Sequence, residues 1–427
     1  MISDDGAAAV GHDGSEARRT EALWRRNLFA LTAAVFIGFA GFTLVMPFLP
    51  IYIQQMGVQD LGVIAAWTGL ALGVTPAMTA ILAPLWGRFA DRFGRKVMVA
   101  RSLVSFVILM AAMGYATEPW HVFALRAAQG FFAGYGALCL TMAADSAPPG
   151  RMAQSIGLVQ TAQRLGPALG PVIGGTVAGA VGLRATFLVT AGFYFVALIL
   201  LLVVYVERPV ARVSSSAPDA GTERITFKNV LAFENFVLLM GLVFGFQFVD
   251  RSLGPVLPLH LTTLGVSDAR LALISGVTFT ALACAAALGH HWCAGLLHRW
   301  GGRRTLFRAS LLAAAGAVLM ALAGTPLILG VAVMVFGVGV GVAMTAAYTT
   351  AGGALPDPAR ATGFGFLTSA SLIGMAASPM IAGLIAHAGI RLVFLVDAVM
   401  LLVFGAAVHR VMEERAQETT GPAMEDA

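Results

Sequence analysis

The stretch RATFLVTA, from Arg184 to Ala191, returns 207 residues later as RLVFLVDA, from Arg391 to Ala398. A shift of 208 residues brings further residues into register without a gap. Pro47 and Pro50 fall on Pro255 and Pro258, and Gly87, Gly94 and Arg95 fall on Gly295, Gly302 and Arg303. Pro148 and Gly157 fall on Pro356 and Gly365, and Gly166, Pro171 and Gly175 fall on Gly374, Pro379 and Gly383. Matches at one fixed spacing identify an internal repeat. The chain is therefore predicted to consist of two similar halves.

The composition indicates that lipid is the main solvent of these halves. Of 427 residues, 58% are apolar and only 11% are charged. A bilayer core is spanned by about 20 apolar residues in a helix, and such segments recur along the chain. The expected spans are Leu28 to Ile53, Ile64 to Trp86, Val97 to Ala116, Trp120 to Ala144, Met152 to Ala180, Thr186 to Val206, Asn235 to Leu261, Leu271 to Leu297, Thr305 to Gly324, Pro326 to Ala351, Thr362 to Ala388 and Leu392 to Val411.

These spans predict an all-α membrane protein with about twelve transmembrane helices in two six-helix halves. An even number of helices in each repeat relates the halves by an axis along the membrane normal, an arrangement typical of transporters. The expected divisions are a cytoplasmic tail at 1–27, a first half at 28–206, a polar linker at 207–229, a second half at 230–411 and a second tail at 412–427.

The distribution of cations predicts the orientation. With the amino terminus inside, inner segments hold most of the Lys and Arg residues, whereas outer loops hold only Arg184, Arg270 and Arg391. The positive-inside rule then places both termini in the cytoplasm. The first 27 residues contain no apolar stretch, which argues against a cleavable secretory signal.

Several classes of function are disfavoured by what the sequence lacks. The cations are scattered over short loops, so we expect no nucleic-acid partner. Cys139, Cys284 and Cys293 fall within predicted helices without metal spacing, so we expect no metal site and no disulfide framework. Neither Lys96 nor Lys228 belongs to a phosphate-binding loop, and no HExxH or GxSxG motif occurs. We therefore expect no enzyme and no cofactor, with an ion gradient as the energy source.

The loop after the second span reads GRFADRFGRK, from Gly87 to Lys96. Its glycines permit a tight turn, and one carboxylate lies among four cations. The residues that matter are Gly87, Asp91, Arg92, Gly94, Arg95 and Lys96. In the second half the same register reads GLLHRWGGRR, with Arg299 in place of the carboxylate. Asp91 can pair with these cations or face the end of a neighbouring helix, or the loop is a simple positive-inside anchor.

The fifth span contains GPALGPVIGG, from Gly166 to Gly175. Gly166, Gly170 and Gly174 recur at every fourth residue and leave one side of the helix bare, so that another helix can approach closely. Pro171 removes one backbone hydrogen bond and predicts a bend. Close packing alone would also explain these glycines.

Ionisable residues at membrane depth are functional candidates because burying them is costly. At a rise of 1.5 Å per residue, Arg126 is expected roughly 9 Å below the outer surface, Asp250 roughly 8 Å below it, and Arg164 about 18 Å from the inner surface. Alternatively, Asp250 and Arg251 reach the outer interface as charged residues near helix ends do.

Other ionisable residues are assigned to less central places. We expect Asp145 to be a solvated cap near Arg151, and His290 with His291 to lie at the inner interface. Asp397, on the last span, is not expected in the cavity.

Together these motifs resemble the major facilitator superfamily. GRFADRFGRK is similar to its loop motif, LRAAQG from Leu125 to Gly130 to the helix 4 motif of its proton-linked members, and GPALGPVIGG to the helix 5 signature of its drug:proton antiporters. The segment from Trp24 to Val58 is similar to the start of a bacterial multidrug exporter of this group.

This resemblance implies alternating access in a bacterial inner membrane. Asp91 and its neighbouring cations would help to lock the cytoplasmic side in the outward-open state, and the helix 5 glycines would form a hinge or seal between the halves. Helices 4, 5 and 7 would face a central cavity, so that Arg126, Arg164 and Asp250 share one polar cluster. Some proton-linked exporters of the group carry an acidic residue in helix 1, and Leu28 to Ile53 contains none.

The leading hypothesis is a proton-coupled antiporter that exports small drug-like or amphipathic molecules. Its expected partners are the substrate, protons and membrane lipid, and the protein is expected to be a monomer. The alternative is an importer or facilitator of a specific metabolite, since Arg126 and Arg164 would suit an anion. A sensor or scaffold lacks support because no sizeable soluble domain is present.

Overall fold

The computed structural model describes residues 5–148, 151–207, 235–355 and 357–412. Its helices are α1 (Asp5–Leu44), α2 (Leu49–Gln54), α3 (Leu61–Phe93), α4 (Arg95–Met113), α5 (Pro119–Phe131), α6 (Tyr135–Ser146), α7 (Met152–Val181), α8 (Leu183–Ile199), α9 (Phe236–Thr263), α10 (Asp268–Leu322), α11 (Pro326–Ala354), α12 (Asp357–Ile385) and α13 (Ile390–Val411). A 3₁₀ turn, Met46–Phe48, joins α1 to α2, and a π-helical turn, Leu200–Val204, follows α8. The described chain contains no strand.

Ten of the described helical segments are long and apolar enough to cross a membrane. The expected number of about twelve is reached only when α10, which carries two predicted spans, is divided and when α7, which is not among those ten, is added. The all-α membrane fold is confirmed. The first helix begins at Asp5, well before the expected start at Leu28. The predicted linker lies almost entirely outside the described residues, as does the carboxyl-terminal tail, and the predicted division into two halves stays a prediction.

Local chemistry explains where the helices begin and break. The carboxylate of Asp60 accepts a hydrogen bond of 2.8 Å from the backbone N–H of Val63, which caps the start of α3. Gly134 interrupts the fourth predicted span between α5 and α6 with φ = 110°. Gly301 bends α10 with φ = 71° and ψ = 171°, a conformation essentially restricted to glycine. The break expected between the eighth and ninth spans is therefore a kink rather than a loop.

The packing of helices repeats between the first and second parts of the chain. Helix α1 packs on α7 as α9 packs on α12, and α4 packs on α8 while α10 packs on both α11 and α13. The two parts meet through α3 against α12 and through α7 against α10. These crossing pairs stand at equivalent places in the sequence repeat, so the contacts between helices repeat as the sequence does.

The terminal end is the end where α1 begins, α13 ends and the Gly87–Lys96 loop lies. The far end carries the α2–α3 connection at residues 55–60.

Candidate functional site

A cavity of about 440 Å³ lies between the two parts of the chain. Its walls come from α1 and α7 on one side and from α9, α10 and α11 on the other. Most of the lining is apolar, as in small-molecule sites generally. The polar lining side chains are Thr43, Gln163, Arg164, Gln247, Asp250, Arg251 and His290.

Charges of opposite sign face this cavity from opposite walls. Arg164 lies on α7, whereas Asp250 and Arg251 lie on α9. A carboxylate oxygen of Asp250 is 3.3 Å from Nε of Arg251, and the two side chains are 26% and 34% exposed. Asp250 therefore has its own partner at the cavity wall. The alternative placement of Asp250 and Arg251 at the outer interface was wrong, because both line the cavity.

His290 also belongs to the cavity, where the sequence did not place it. Its Nδ1 lies 2.6 Å from the hydroxyl oxygen of Thr345 on α11, and the ring is half-buried. The neighbouring His291 is exposed, and the expected depth of both residues near the inner interface stays a prediction.

Arg126 is not among the residues that line the cavity. Its side chain is 1% exposed, Nη1 donates a 3.1 Å hydrogen bond to Oε1 of Gln129, and the guanidinium lies 5.7 Å from the ring centre of Phe42. Within the described chain its Nε and Nη2 have no hydrogen-bond partner, and neither do the hydroxyls of Tyr135 and Tyr194. The structure thus brings Arg164 and Asp250 together on one cavity and places Arg126 in a separate buried polar cluster.

The far end of the cavity is sealed by direct contact between backbones. Any side chain at position 69 on α3 would overlap the carbonyl oxygen of Pro379 on α12, and one at position 383 would overlap that of Ala65. Such contacts require glycine because a Cβ atom would occupy the space of the facing carbonyl. The same type of contact joins Gly175 on α7 to the carbonyl of Ala272 on α10.

The terminal end of the same helices is open. Leu158 and Leu165 on α7 are exposed, as is Phe364 on α12, and the exposed Arg164 lines the cavity itself. A side chain at Gly157 or Gly365 would meet nothing within 4 Å. The cavity is therefore accessible from the end of the bundle that carries both described chain ends.

The helix 5 signature contacts two different surfaces. Side chains at Gly166, Gly170 and Gly174 would overlap the backbone or side chains of α1, which belongs to the same predicted half. By contrast, Gly175 and the carbonyl of Pro171 lie directly against α10. Only the second pair lies between the two parts of the chain, so the three spaced glycines serve packing within one part.

The segment Gly87–Lys96, expected to be a loop, is helical apart from Gly94, because α3 continues to Phe93 and α4 begins at Arg95. Its contacts hold three helices of one half together. Arg95 forms an ion pair with Asp145 at the end of α6, and Lys96 donates hydrogen bonds of 3.2 and 2.7 Å to the carbonyls of Leu202 and Tyr205 after α8. Asp145 is exposed at the end of α6 as expected, but its partner is Arg95 rather than Arg151.

The remaining loop residues have local roles. Gly94, with φ = 94°, connects α3 to α4, and the Arg92 guanidinium lies 5.4 Å from the ring centre of the adjacent Phe93. A side chain at Gly87 would meet nothing within 4 Å, and the side chain of Asp91 lies outside the described part. A lock involving Asp91 therefore stays a prediction.

Known proteins resemble this chain over most of its length. The sequence profile of the Major Facilitator Superfamily matches residues 31–351 and 242–426. The multidrug resistance protein MdtG of Erwinia billingiae is 32% identical over 89% of this chain and 92% of its own length. A multi-drug resistance efflux pump PmrA homolog of Lactococcus lactis is 29% identical over 85% of this chain and 89% of its own.

Solved structures agree on the fold. A bacterial homologue of the human lysosomal transporter Spinster, in an inward-facing and occupied conformation, superposes with a TM-score of 0.76 at 18% identity, covering 90% of this chain and 96% of that one. The human organic anion transporter MFSD10 gives a TM-score of 0.60 at 17% identity, covering 90% of this chain and 99% of that one. The profile match and the MdtG relative confirm the resemblance seen in the sequence motifs. The chain is a multi-pass membrane transporter that belongs to the Major Facilitator Superfamily.

Proposed function

We propose that the protein is a proton-coupled antiporter that exports small drug-like or amphipathic molecules by alternating access. The observation that carries this proposal is the placement of Arg164 and Asp250 on opposite walls of one cavity that is sealed at the far end and open at the terminal end. A cavity between two mobile halves is exposed to each side of the membrane in turn when the halves rock. The names of the MdtG and PmrA relatives support export as the direction.

Asp250 is the proposed site of competition between proton and substrate. In this structure its carboxylate pairs with Arg251 at 3.3 Å. A proton arriving from the outer side neutralises the carboxylate and weakens this pair, whereas its loss on the inner side restores the charge. Because Arg164 and His290 face the same space, the change in charge alters how a polar or charged substrate group is held.

The lining suits an amphipathic substrate. Apolar side chains such as Met46, Phe279 and Met344 surround the few polar groups, and a volume of about 440 Å³ lies in the range of small-molecule pockets. Flexible methionines adapt to ligands of different shape. These features favour a range of apolar molecules over one tightly matched metabolite.

We further propose a monomer in the bacterial inner membrane with both termini in the cytoplasm. The terminal end is rich in cations, including Arg88, Arg92 and Arg299, which the positive-inside rule places on the cytoplasmic side. The cavity of this structure then opens to the cytoplasm. Proteolysis at a site inserted into the 207–229 linker, in intact cells and in inverted vesicles, tests this orientation, because only the inverted vesicles should be cut.

The second candidate is an importer or facilitator of an anionic metabolite. It is favoured by Arg164 and Arg251, since two arginines and one carboxylate line the cavity. A facilitator would move substrate equally well with and without a proton gradient. The two candidates are therefore separated by the energy requirement rather than by binding.

The deciding experiment measures dye uptake into energised inverted vesicles, which corresponds to export from the cell, together with the pH gradient. Intact protein should accumulate dye and dissipate the gradient, and Asp250→Asn and Arg164→Gln should each lose both signals. Arg270→Gln serves as the control, because Arg270 is exposed at the far end and does not line the cavity. Undiminished transport after the gradient is collapsed would reject the antiporter and favour the facilitator.

A further inference from the structure

Asp397 is a buried carboxyl group that the proposed cavity does not use. It lies on α13 with 1% of its surface exposed, and its Oδ2 is 2.5 Å from Oγ of Ser252 on α9. Ser252 is fully buried, and its Oγ also lies 2.9 Å from the carbonyl oxygen of Val249. These two contacts place three oxygen atoms in a short chain behind the wall of the cavity.

The number of available hydrogen atoms decides which of these two contacts are hydrogen bonds. A serine hydroxyl has one hydrogen to donate and two lone pairs to accept with, and a backbone carbonyl can only accept. If Ser252 donates to Val249, the short contact to Asp397 is a hydrogen bond only when the carboxyl group carries the hydrogen. If Asp397 is ionised, Ser252 donates to it and the contact with Val249 is lost.

The surrounding charges do not compensate an ionised Asp397. On α9, Asp250 and Arg251 pair with each other at the cavity, and the ring of His260 lies 5.3 Å from that of Phe394, one turn before Asp397. Helix α10 packs on α13 and has no titratable side chain between Ala309 and Leu322, and its Arg308 lies 4.2 Å from the ring centre of Trp300. Helix α12 has none between Gly363 and Ile385, and the cations Arg391 and Arg410 lie near the two ends of α13. The part of the chain that the structure describes contains no ion pair to Asp397. An unpaired carboxylate here would be costly.

The internal repeat shows that packing does not require an acid at this place. Asp397 stands in register with Thr190 of the sequence RATFLVTA. Thr190 is fully buried on α8, donates a 2.8 Å hydrogen bond to the carbonyl of Thr186 on its own helix, and approaches α1 at Gly41. The first half therefore fills the equivalent position with a neutral side chain that needs no partner from another helix.

We propose that Asp397 carries a bound proton in this conformation and forms with Ser252 a proton-binding site behind the α9 wall of the cavity. The protonated carboxyl group donates to Oγ of Ser252, which in turn donates to the carbonyl of Val249. Ser252 follows Asp250 and Arg251 on the same helix, so the site lies beside the charged cavity groups without being in contact with solvent. This proposal concerns the resting protein and stands independently of the proposed antiport.

Infrared spectroscopy of the purified full-length protein tests it directly. A protonated carboxyl group has a carbonyl absorption that a carboxylate lacks and that shifts when water is exchanged for D₂O. We expect this band in the intact protein at neutral pH and its loss in Asp397→Asn, whose amide has nearly the same shape and can still donate to Ser252. Asp60→Asn is the matched control, because Asp60 is exposed and caps α3. It should leave the band unchanged.

Two further variants keep the test decisive if Asp397→Asn folds poorly. Asp397→Thr introduces the residue of the other half and should also remove the band. Ser252→Ala retains the acid but removes its partner, so the band should persist at a higher frequency. Identical spectra for the intact protein and both Asp397 variants, or a band unaffected by Ser252→Ala, would overturn the proposal. The infrared measurement uses neither a substrate nor a proton gradient. Its outcome is therefore independent of the outcome of the efflux experiment.

Discussion

Gly276 of α10 lies directly against the carbonyl oxygen of Pro171 of α7, so that the two parts of the chain meet there backbone to backbone. Gly175 makes the equivalent contact with Ala272 one turn away. A Cβ atom at either glycine would overlap the facing carbonyl group. These contacts can exist only while the far end is closed, and they therefore define a conformation that can be tested.

Gly276→Val should favour opening of the far end. Inserting a branched side chain into this contact costs about 1–3 kcal/mol in the closed conformation only, and each 1.4 kcal/mol changes a population about tenfold. A cysteine at the cavity residue Met46, in a Cys284→Ser background, should then react about tenfold faster with an impermeant maleimide supplied from the far side.

Gly179→Val is the matched control for this change. Gly179 lies on α7 near the same end, and a side chain there would meet nothing within 4 Å. Its labelling rate should equal that of the parent protein. Equal rates for Gly276→Val and Gly179→Val would show that the glycine contact does not hold the far end closed.

The ion pair between Arg95 and Asp145 should stabilise the terminal end of the first half. Both side chains are about one-third exposed, at 29% and 30%, so solvent screening limits the pair to about 0.2–1 kcal/mol. Arg95→Glu and Asp145→Arg should each lower the midpoint of thermal unfolding in detergent because each places like charges together. The double variant should recover much of the loss.

Arg88→Glu is the control for the Arg95 and Asp145 pair. It makes the same charge change in the same motif, at an exposed side chain near the end of α3. The control double variant combines Arg88→Glu with Asp145→Arg. If it recovered as much stability as Arg95→Glu combined with Asp145→Arg, the effect would come from general charge balance and not from this ion pair.

Filling the cavity should weaken substrate binding. Ala287 on α10 lines the cavity, whereas the adjacent Leu288 is 49% exposed and does not line it. Ala287→Phe should weaken binding of a fluorescent dye to the purified protein about tenfold, the equivalent of ~1.4 kcal/mol. Leu288→Phe should bind as the parent does, and a similar loss in both variants would argue against this cavity as the dye site.

Hydropathy and the repeat were sufficient to predict the fold class because lipid imposes a length and a composition on each span. They could not locate the ends of the helices. Trp24 belongs to α1, and its indole N–H donates to Oγ of Ser155 on α7 at 2.9 Å, although the predicted span began at Leu28. Such contacts depend on which helices are neighbours, and hydropathy carries no information about neighbours.

The site was only partly predictable for the same reason. Depth along a helix placed Arg126, Arg164 and Asp250 in the membrane, but depth does not specify which face of the helix a side chain occupies. The structure turns Arg126 toward Gln129 and Phe42 and leaves Arg164 at the cavity. His290 was missed because its distance along the span indicated the inner interface and could not show that the helix turns the ring toward the cavity. The sequence could have indicated this position only through the face of α10 that His290 shares with other residues lining the cavity.

The kink in α10 provides a test in which two glycines of one motif respond in opposite directions. Gly301 has φ = 71° and ψ = 171°, which any other residue adopts at a cost of about 1–3 kcal/mol. Gly295 lies in regular helix six residues earlier, and a side chain there would meet nothing within 4 Å. Alanine is favoured over glycine in helices by up to ~1 kcal/mol. Gly301→Ala should therefore lower the midpoint of thermal unfolding in detergent, and Gly295→Ala should leave it unchanged or raise it. If both variants shifted the midpoint upward, α10 would have to run straight through position 301, and the kink would not be a property of the folded protein.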